Sequence, residues 1–117
     1  ARDNNGEFVN TKNIFMNRNH NKTKKKSRIQ NPGENTTLAV VATNADITKA
    51  ESKKIAGMAH DGLARSIAPV HTMLDGDIVF TLNSSEVKNV DISVLGTLAA
   101  EVVARAVVNC VKRSNSN

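Results

Sequence analysis

Residues 36–43, TTLAVVAT, form the stretch that decides the fold. The run is almost continuously apolar and β-branched, which is typical of a strand covered on both faces. A polar tract with one proline and one glycine, residues 29–35 (IQNPGEN), directly precedes it. Thr36 either simply begins a strand, or the chain cuts itself between Asn35 and Thr36. In the second case the Thr36 hydroxyl gains its own α-amine, of pKa about 7.7 to 8.0, as a nearby base.

An amphipathic helix is predicted after this strand. Asp46 or Thr48 is suited to be its N-cap, and Glu51 is placed to complete a capping box. Apolar residues recur at helical spacing through the segment, at Ile47, Ile55, Met58, Ala59, Leu63 and Ile67. The helix should end before Pro69, because the residue that precedes a proline disfavours helical backbone.

A second strand over residues 78–82 is predicted to follow, with residues 83–85 (NSS) as a turn. Asp91 or Asn89 should then cap a long helix over residues 92–112, which is apolar round most of its circumference. The order β-α-β-α predicts an α/β fold. Two strands and two helices cannot cover a strand that is buried on both faces, so a partner segment should supply more strands.

The net charge lies entirely before Thr36. Residues 1–35 contain eight Lys/Arg and three Asp/Glu, a net of +5, whereas residues 36–117 contain eight of each, a net of zero. The first part has too few apolar residues to form a core, and we expect a tether with one short helical stretch near residues 11–17. Its basic run, residues 22–28 (KTKKKSR), could contact nucleic acid. Because no aromatic residues are interleaved, a solvated linker is the favoured interpretation.

The remaining composition indicates a reducing compartment and no membrane span. The single Cys110 excludes an internal disulfide and is typical of a small apolar residue within the last helix rather than of a nucleophile. Glu101 and Arg105 interrupt the only long apolar run, so we expect no transmembrane helix and a cytoplasmic location. Ala1 is not an initiator residue, and we expect the chain to be part of a longer gene product.

Asp75-Gly76-Asp77 is the most concentrated group of candidate site residues. Two close carboxylates can hold a cation or orient a nucleophile, and because they raise one another's pKa, one of them can act as a base. The simpler alternative is a turn in which both side chains accept hydrogen bonds from local backbone amides. His60 and His71 could be assembled with nearby aspartates into a metal site, but their spacing matches no ligand pattern. We therefore expect no metal and no cofactor.

Three ordered motifs carry a resemblance to a known family. They are residues 33–44 (GENTTLAVVATN), 58–67 (MAHDGLARSI) and 69–80 (PVHTMLDGDIVF). With this spacing the chain resembles the C-terminal part of the P1 family of peptidases. That family includes D-aminopeptidase/L-aminopeptidase-D-esterase enzymes, β-peptidyl aminopeptidases and the nylon-oligomer hydrolase.

The resemblance implies an autoprocessed hydrolase with an N-terminal nucleophile and a four-layer αββα sandwich. Residues 1–35 would be the end of an α chain with its processing linker, and residues 36–117 the β chain of the same domain. Cleavage would fall between Asn35 and Thr36, with Thr36 as the nucleophile and Asp75 and Asp77 as the acidic pair beside it. The partners implied are the upstream α chain, further copies in a homo-oligomer, and a small peptide or amide substrate.

Two other functions stay open at this point. A related fold is used by ornithine acetyltransferases, so the same nucleophile could transfer an acyl group to an amine instead of water. A non-enzymatic module that binds nucleic acid through the basic linker is the other alternative. The segment after Phe80, residues 81–86 (TLNSSE), departs from the small residues and glycine that the family tends to have there, so we expect an altered pocket rim.

Overall fold

The computed structural model of this chain describes residues 5, 7, 9–17 and 36–114. Its elements are α1 (Thr11–Asn17), β1 (Leu38–Ala45), α2 (Lys49–Ser66), β2 (Ile78–Val87) and α3 (Ile92–Ser114). The two strands pair in parallel, with Leu38 opposite Ile78. The expected α/β class is confirmed, and the short helix expected near residues 11–17 is present as α1. The basic tract of residues 22–28 and Asn35 lie outside the described residues.

The start of α2 is fixed by a capping box, as predicted from the sequence. Thr48 is the N-cap; its hydroxyl accepts from the Glu51 backbone N–H, and the Glu51 carboxylate accepts from the Thr48 backbone N–H at 2.7 Å. These reciprocal hydrogen bonds satisfy two amides that a helix start leaves unpaired. The Glu51 carboxylate accepts from both the backbone N–H and the hydroxyl of Thr48, and these hydrogen bonds lower the pKa of Glu51. At the other end, α2 stops at Ser66, three residues before Pro69.

The predicted turn over residues 83–85 is wrong, because β2 continues through it to Val87. The pairing shifts register between Thr43 and Ala45, so that Ala45 lies opposite Val87, and the Asp46 backbone N–H still reaches the Val87 carbonyl at 2.7 Å. Ser85 takes a φ of 60° within this irregularity. A bulge of this kind absorbs extra residues without ending the strand.

The core lies on one face of the sheet. Side chains of β1 alternate, and the odd-numbered ones turn inward with Val79 of β2 toward the helices. Ile55 and Leu63 of α2 are completely buried, and Ala99 and Val103 of α3 complete the cluster. A single apolar core therefore joins β1, β2, α2 and α3.

The opposite face of the sheet is exposed in the described part of the chain. Its large apolar side chains are 45 to 68% exposed, at Leu38, Val40, Ile78, Phe80 and Leu82. Within the described residues β1 is covered on one face only, because both helices that pack on the sheet, α2 and α3, lie on the same face. Cover of the other face by a partner segment stays a prediction.

Helices α2 and α3 approach each other closely at glycines. A Cβ atom on Gly62 would overlap the backbone carbonyl oxygen of Ala100, and one on Gly96 would overlap the Met58 side chain. Asp91 caps α3, with its Oδ1 accepting from the backbone N–H groups of Ser93 and Val94 at 2.8 and 3.1 Å. The contact between α2 and α3 is therefore one in which small residues bring two backbones together.

The surface of α3 away from α2 keeps much of its apolar character. Cys110 of α3 is exposed in the described part of the chain. Among the described helices, α3 is long and apolar enough to cross a membrane by length and composition, a test that core helices of soluble proteins also pass. The Glu101–Arg105 ion pair lies on this helix at 2.8 Å. The absence of a membrane span stays a prediction.

Candidate active site

The candidate site lies where the two parallel strands begin. Thr36 and Thr37 immediately precede β1, and Asp75 and Asp77 immediately precede β2. Because the strands run in the same direction, both starts meet at the amino edge of the sheet. A cavity of about 370 Å³ opens there, and the residues that line it are Thr36, Thr37, Ile67, Pro69, Val70, Asp75 and Asp77. The described residues of the predicted site thus share one cavity.

Asp77 is the most engaged side chain of the cavity. Its Oδ1 accepts from the Thr37 backbone N–H at 2.9 Å, while its Oδ2 lies 2.7 Å from His71 Nδ1 and accepts from the His71 backbone N–H at 3.3 Å. The side chain is 4% exposed. Both carboxylate oxygens are therefore occupied by donors from β1 and from the loop between α2 and β2.

The strand pairing explains how Asp77 meets Thr37. The Ile78 backbone N–H donates to the Thr37 carbonyl at 2.9 Å, so that the parallel ladder extends to the residue that follows Thr36. The Asp77 carboxylate accepts from the Thr37 N–H, which belongs to the preceding peptide group, between Thr36 and Thr37. Both backbone groups of Thr37, its N–H and its carbonyl, are therefore hydrogen-bonded.

These contacts also set the charge of Asp77. Burial raises the pKa of the carboxyl, but hydrogen bonds from Thr37 and His71 outweigh it and lower the pKa below its ordinary value. A carboxylate that accepts several hydrogen bonds is stabilised in its ionised form. Asp77 is therefore an anion at neutral pH.

Asp75 is held differently, with one oxygen engaged. Its Oδ2 accepts from the Thr72 backbone N–H at 2.7 Å, and its own N–H donates to the Thr72 carbonyl at 3.1 Å. This is the local turn bonding that the sequence offered as the simpler alternative. It leaves Asp75 Oδ1 with no hydrogen bond among the described residues, although Asp75 lines the same cavity as Thr36.

His71 is part of this site, although the sequence indicated it only as a possible metal ligand. The structure pairs its ring with Asp77 and places it against His60, with ring centroids 4.9 Å apart. The available signal was its position, six residues before Asp77 and within the motif PVHTMLDGD. No group of three or more His, Cys, Asp or Glu side chains that could hold a metal occurs in the described residues.

The family comparison agrees with the motifs that form this cavity. The model of Peptidase family S58 matches residues 4–116. That match spans almost all of the 117 residues and includes both strand starts. The chain belongs to Peptidase family S58.

Individual relatives carry names of two kinds. The chain is 40% identical to an uncharacterized aminopeptidase of Mycobacterium leprae over 96 residues, which are 70% of this chain and 26% of that protein. It is 40% identical to an uncharacterized aminopeptidase of Mycobacterium bovis over 88 residues, 63% of this chain and 26% of that protein. It is 30% identical to a 6-aminohexanoate-oligomer endohydrolase of Kocuria sp. over 90 residues, 67% of this chain and 25% of that protein. The alignments span about a quarter of each relative.

Proposed function

We propose that this chain is part of an autoprocessed amidohydrolase of the aminopeptidase type. The single observation that carries the proposal is the cavity at the amino edge of the sheet, which contains a threonine at a strand start beside two carboxylates. A hydroxyl in that position becomes a nucleophile with its own base once its amine is freed. Family membership and the names of the relatives support cleavage of peptide or other amide bonds.

Processing would begin with the hydroxyl of Thr36. The oxygen attacks the Asn35 carbonyl carbon, the C–N bond to Thr36 breaks as the hydroxyl proton passes to nitrogen, and an ester links Asn35 to the Thr36 oxygen. Water then hydrolyses that ester, which releases the Asn35 carboxylate and leaves Thr36 with a free amine and a free hydroxyl. Nucleophile and base are then present on one residue.

Turnover would repeat this chemistry on a substrate. The Thr36 amine takes the hydroxyl proton, the oxygen attacks the substrate carbonyl, and the proton is delivered to the departing amine. The acyl-enzyme ester is hydrolysed by water, which restores the hydroxyl. Charge that develops on the carbonyl oxygen has to be stabilised by hydrogen-bond donors. We assign those donors to the upstream α chain, in keeping with the family resemblance.

The hydrogen bonds of the two aspartates suggest different roles for them. Both oxygens of Asp77 are occupied, so we assign Asp77 to hold the backbone beside the nucleophile. Asp75 keeps an oxygen without a hydrogen bond among the described residues, and it lines the cavity. We therefore assign Asp75 to orient the ammonium group of Thr36 or of a substrate.

The same proposal covers the rest of the protein. We infer a four-layer αββα sandwich in which an upstream α chain covers the exposed sheet face, because Leu38, Val40 and Phe80 are each more than half exposed here. We further propose a cytoplasmic homo-oligomer, which would cover exposed apolar side chains of α3 such as Leu98. In that assembly the cavity would be completed by residues from the α chain.

Self-cleavage is tested on protein expressed from the full gene, by intact mass and N-terminal sequencing. We expect a fragment that begins at Thr36, lost in Thr36→Ala and retained, at a different rate, in the hydroxyl-preserving control Thr36→Ser. Release of amine from a small peptide amide should follow the same pattern. Wild-type protein that stays uncut and inactive, or a Thr36→Ala protein that is still cut at the same bond, would refute the proposal.

A further inference from the structure

His71 makes a contact that the proposed function does not use. Its Nδ1 lies 2.7 Å from Asp77 Oδ2, and its backbone N–H donates to the same oxygen at 3.3 Å. Asp77 Oδ1 in turn accepts from the backbone N–H of Thr37, the residue after the proposed nucleophile. Two consecutive hydrogen bonds therefore join the His71 ring, through the Asp77 carboxylate, to the backbone N–H of Thr37.

We propose that His71 is a positioning residue, whose ring N–H anchors the Asp77 carboxylate. The anchored carboxylate holds the backbone of Thr37, and this fixes the position of Thr36 in the cavity. This inference rests on the proposed function, because Thr36 is the nucleophile only there. In this proposal His71 acts through Asp77, which both its side chain and its backbone N–H contact.

Histidine suits this task because its donor does not depend on its charge. An Nδ1 that faces an ionised carboxylate carries a proton in the neutral ring as well as in the imidazolium. The anchor is therefore present whether the ring is neutral or protonated. Protonation of the ring adds a full charge to the pair and can only strengthen it.

The backbone of His71 has an uncommon conformation. Its φ of 55° lies in the left-handed region, which non-glycine residues adopt uncommonly and Asn, Asp and His most often among them. The ring is also placed against His60 of α2, with centroids 4.9 Å apart and planes inclined at 59°. The loop backbone and α2 thus both contribute to the ring's position.

Loss of the ring would act on Asp77 in two ways. The carboxylate would lose one of its donors while it stays buried, which would raise its pKa. It would also be freer to turn away from Thr37. The titratable groups around Asp77 are His71 and Asp75 from its own loop, His60 of α2 through the His71 ring, and, after cleavage, the new amine of Thr36 next to β1.

The chain offers a matched pair of substitutions at this position. His71→Asn and His71→Gly both tolerate the positive φ, and both keep the backbone N–H that reaches Asp77. They differ because the asparagine amide places an N–H near the position of Nδ1, whereas glycine places none. A difference in cleavage rate or in the Asp77 titration between the two variants is therefore caused by the side-chain donor and not by backbone strain.

The first measurement is the rate of self-cleavage against pH in protein from the full gene. We expect His71→Gly to cleave about tenfold more slowly at pH 7, and the acid limb of its pH profile to move up by about one unit. His71→Asn should stay within about threefold of wild type with its acid limb unmoved. Equal rates and profiles in His71→Gly and wild type would overturn the inference, as would an equal loss in both variants.

A second measurement does not need activity. The carboxyl carbon of Asp77 is followed by ¹³C NMR through an acid titration of the same proteins, and Asp77→Asn identifies its signal by removing it. We expect the midpoint to rise by about one unit in His71→Gly and to stay in place in His71→Asn. An unmoved midpoint in His71→Gly would show that the ring does not anchor the carboxylate.

The two measurements separate failure of this inference from failure of the proposed function. Wild-type protein that does not cleave would refute the proposed function, and with it any role of His71 in cleavage. The titration would still decide whether His71 anchors Asp77. Normal wild-type cleavage, with no difference between the glycine and asparagine variants, would refute the role of His71 alone.

Discussion

Gly62→Ala tests the contact between the two long helices. Gly62 is buried in α2, and a Cβ atom built on it would lie 2.9 Å from Val103 Cβ and 3.0 Å from the Ala104 backbone nitrogen, and would overlap the Ala100 carbonyl oxygen. The obstacles include α3 backbone, which cannot rotate aside as a flexible side chain can. Insertion of the methyl group requires the helices to separate.

The size of the effect follows from two opposing terms. Overpacking of a tight core costs about 1 to 3 kcal/mol, and contact with backbone places this site in the upper half of that range. Alanine recovers up to about 1 kcal/mol of helix propensity relative to glycine. We therefore expect Gly62→Ala to lower the free energy of unfolding by about 1 to 2 kcal/mol.

Gly57 provides a matched control in the same helix. A Cβ atom there would meet nothing within 4 Å, so Gly57→Ala gains the helix propensity without the clash and should raise the free energy of unfolding by about 0.5 to 1 kcal/mol. Urea unfolding of the protein from the full gene compares the two variants. An equal stabilisation by both alanines would refute the close approach of α2 and α3 at Gly62.

Three further predictions concern single contacts, each measured by unfolding in the full-gene protein. Thr48→Ala removes the capping box of α2 and should lower the free energy of unfolding by about 1 kcal/mol, whereas Thr48→Ser should keep most of that stability. Thr81→Val should stabilise by about 1 kcal/mol, because the Thr81 hydroxyl is buried without a partner among the described residues; destabilisation would indicate a partner. Asp77→Asn should cost about 2 kcal/mol at pH 7, since both carboxylate oxygens accept hydrogen bonds. Because the folded-state pKa of Asp77 is lowered, its contribution is complete above the unfolded value of about 3.9 and is lost as pH falls through the folded value. The difference in the free energy of unfolding between Asp77→Asn and wild type should therefore narrow below about pH 4. A difference that stays constant down to pH 2 would contradict this prediction.

The parts of the fold that depend on neighbouring residues were predictable from sequence. The Thr48–Glu51 capping box and the end of α2 before Pro69 depend on contacts within a few residues, so local patterns suffice. The continuation of β2 to Val87 was not predictable. Residues 83–85 have turn chemistry, and pairing with a distant strand, of Asn83 with Thr43 and of Val87 with Ala45, keeps them within β2.

The candidate site shows the same division. Thr36, Asp75 and Asp77 could be named from motifs, although the roles of the two aspartates could not be told apart because that depends on which oxygens are occupied. His71 was not assigned to the site, although it lies in the same motif as both aspartates. Its ring reaches Asp77 from a backbone with a φ of 55°, which the local sequence pattern did not predict.

The position of the cavity is unusual for a parallel sheet, and the proposed chemistry accounts for it. Ligands of open α/β sheets usually bind outside the carboxyl ends of the strands. Here the cavity lies at the amino ends, before Leu38 and Ile78. A nucleophile that arises by cleavage in front of a strand has to lie at an amino edge, because the new N-terminus is the residue that enters the strand. The parallel register then brings the residue before Ile78 beside Thr37, so a carboxylate at position 77 is the side chain that β2 can most directly offer to that backbone. The sheet itself thus places Asp77 next to the proposed nucleophile.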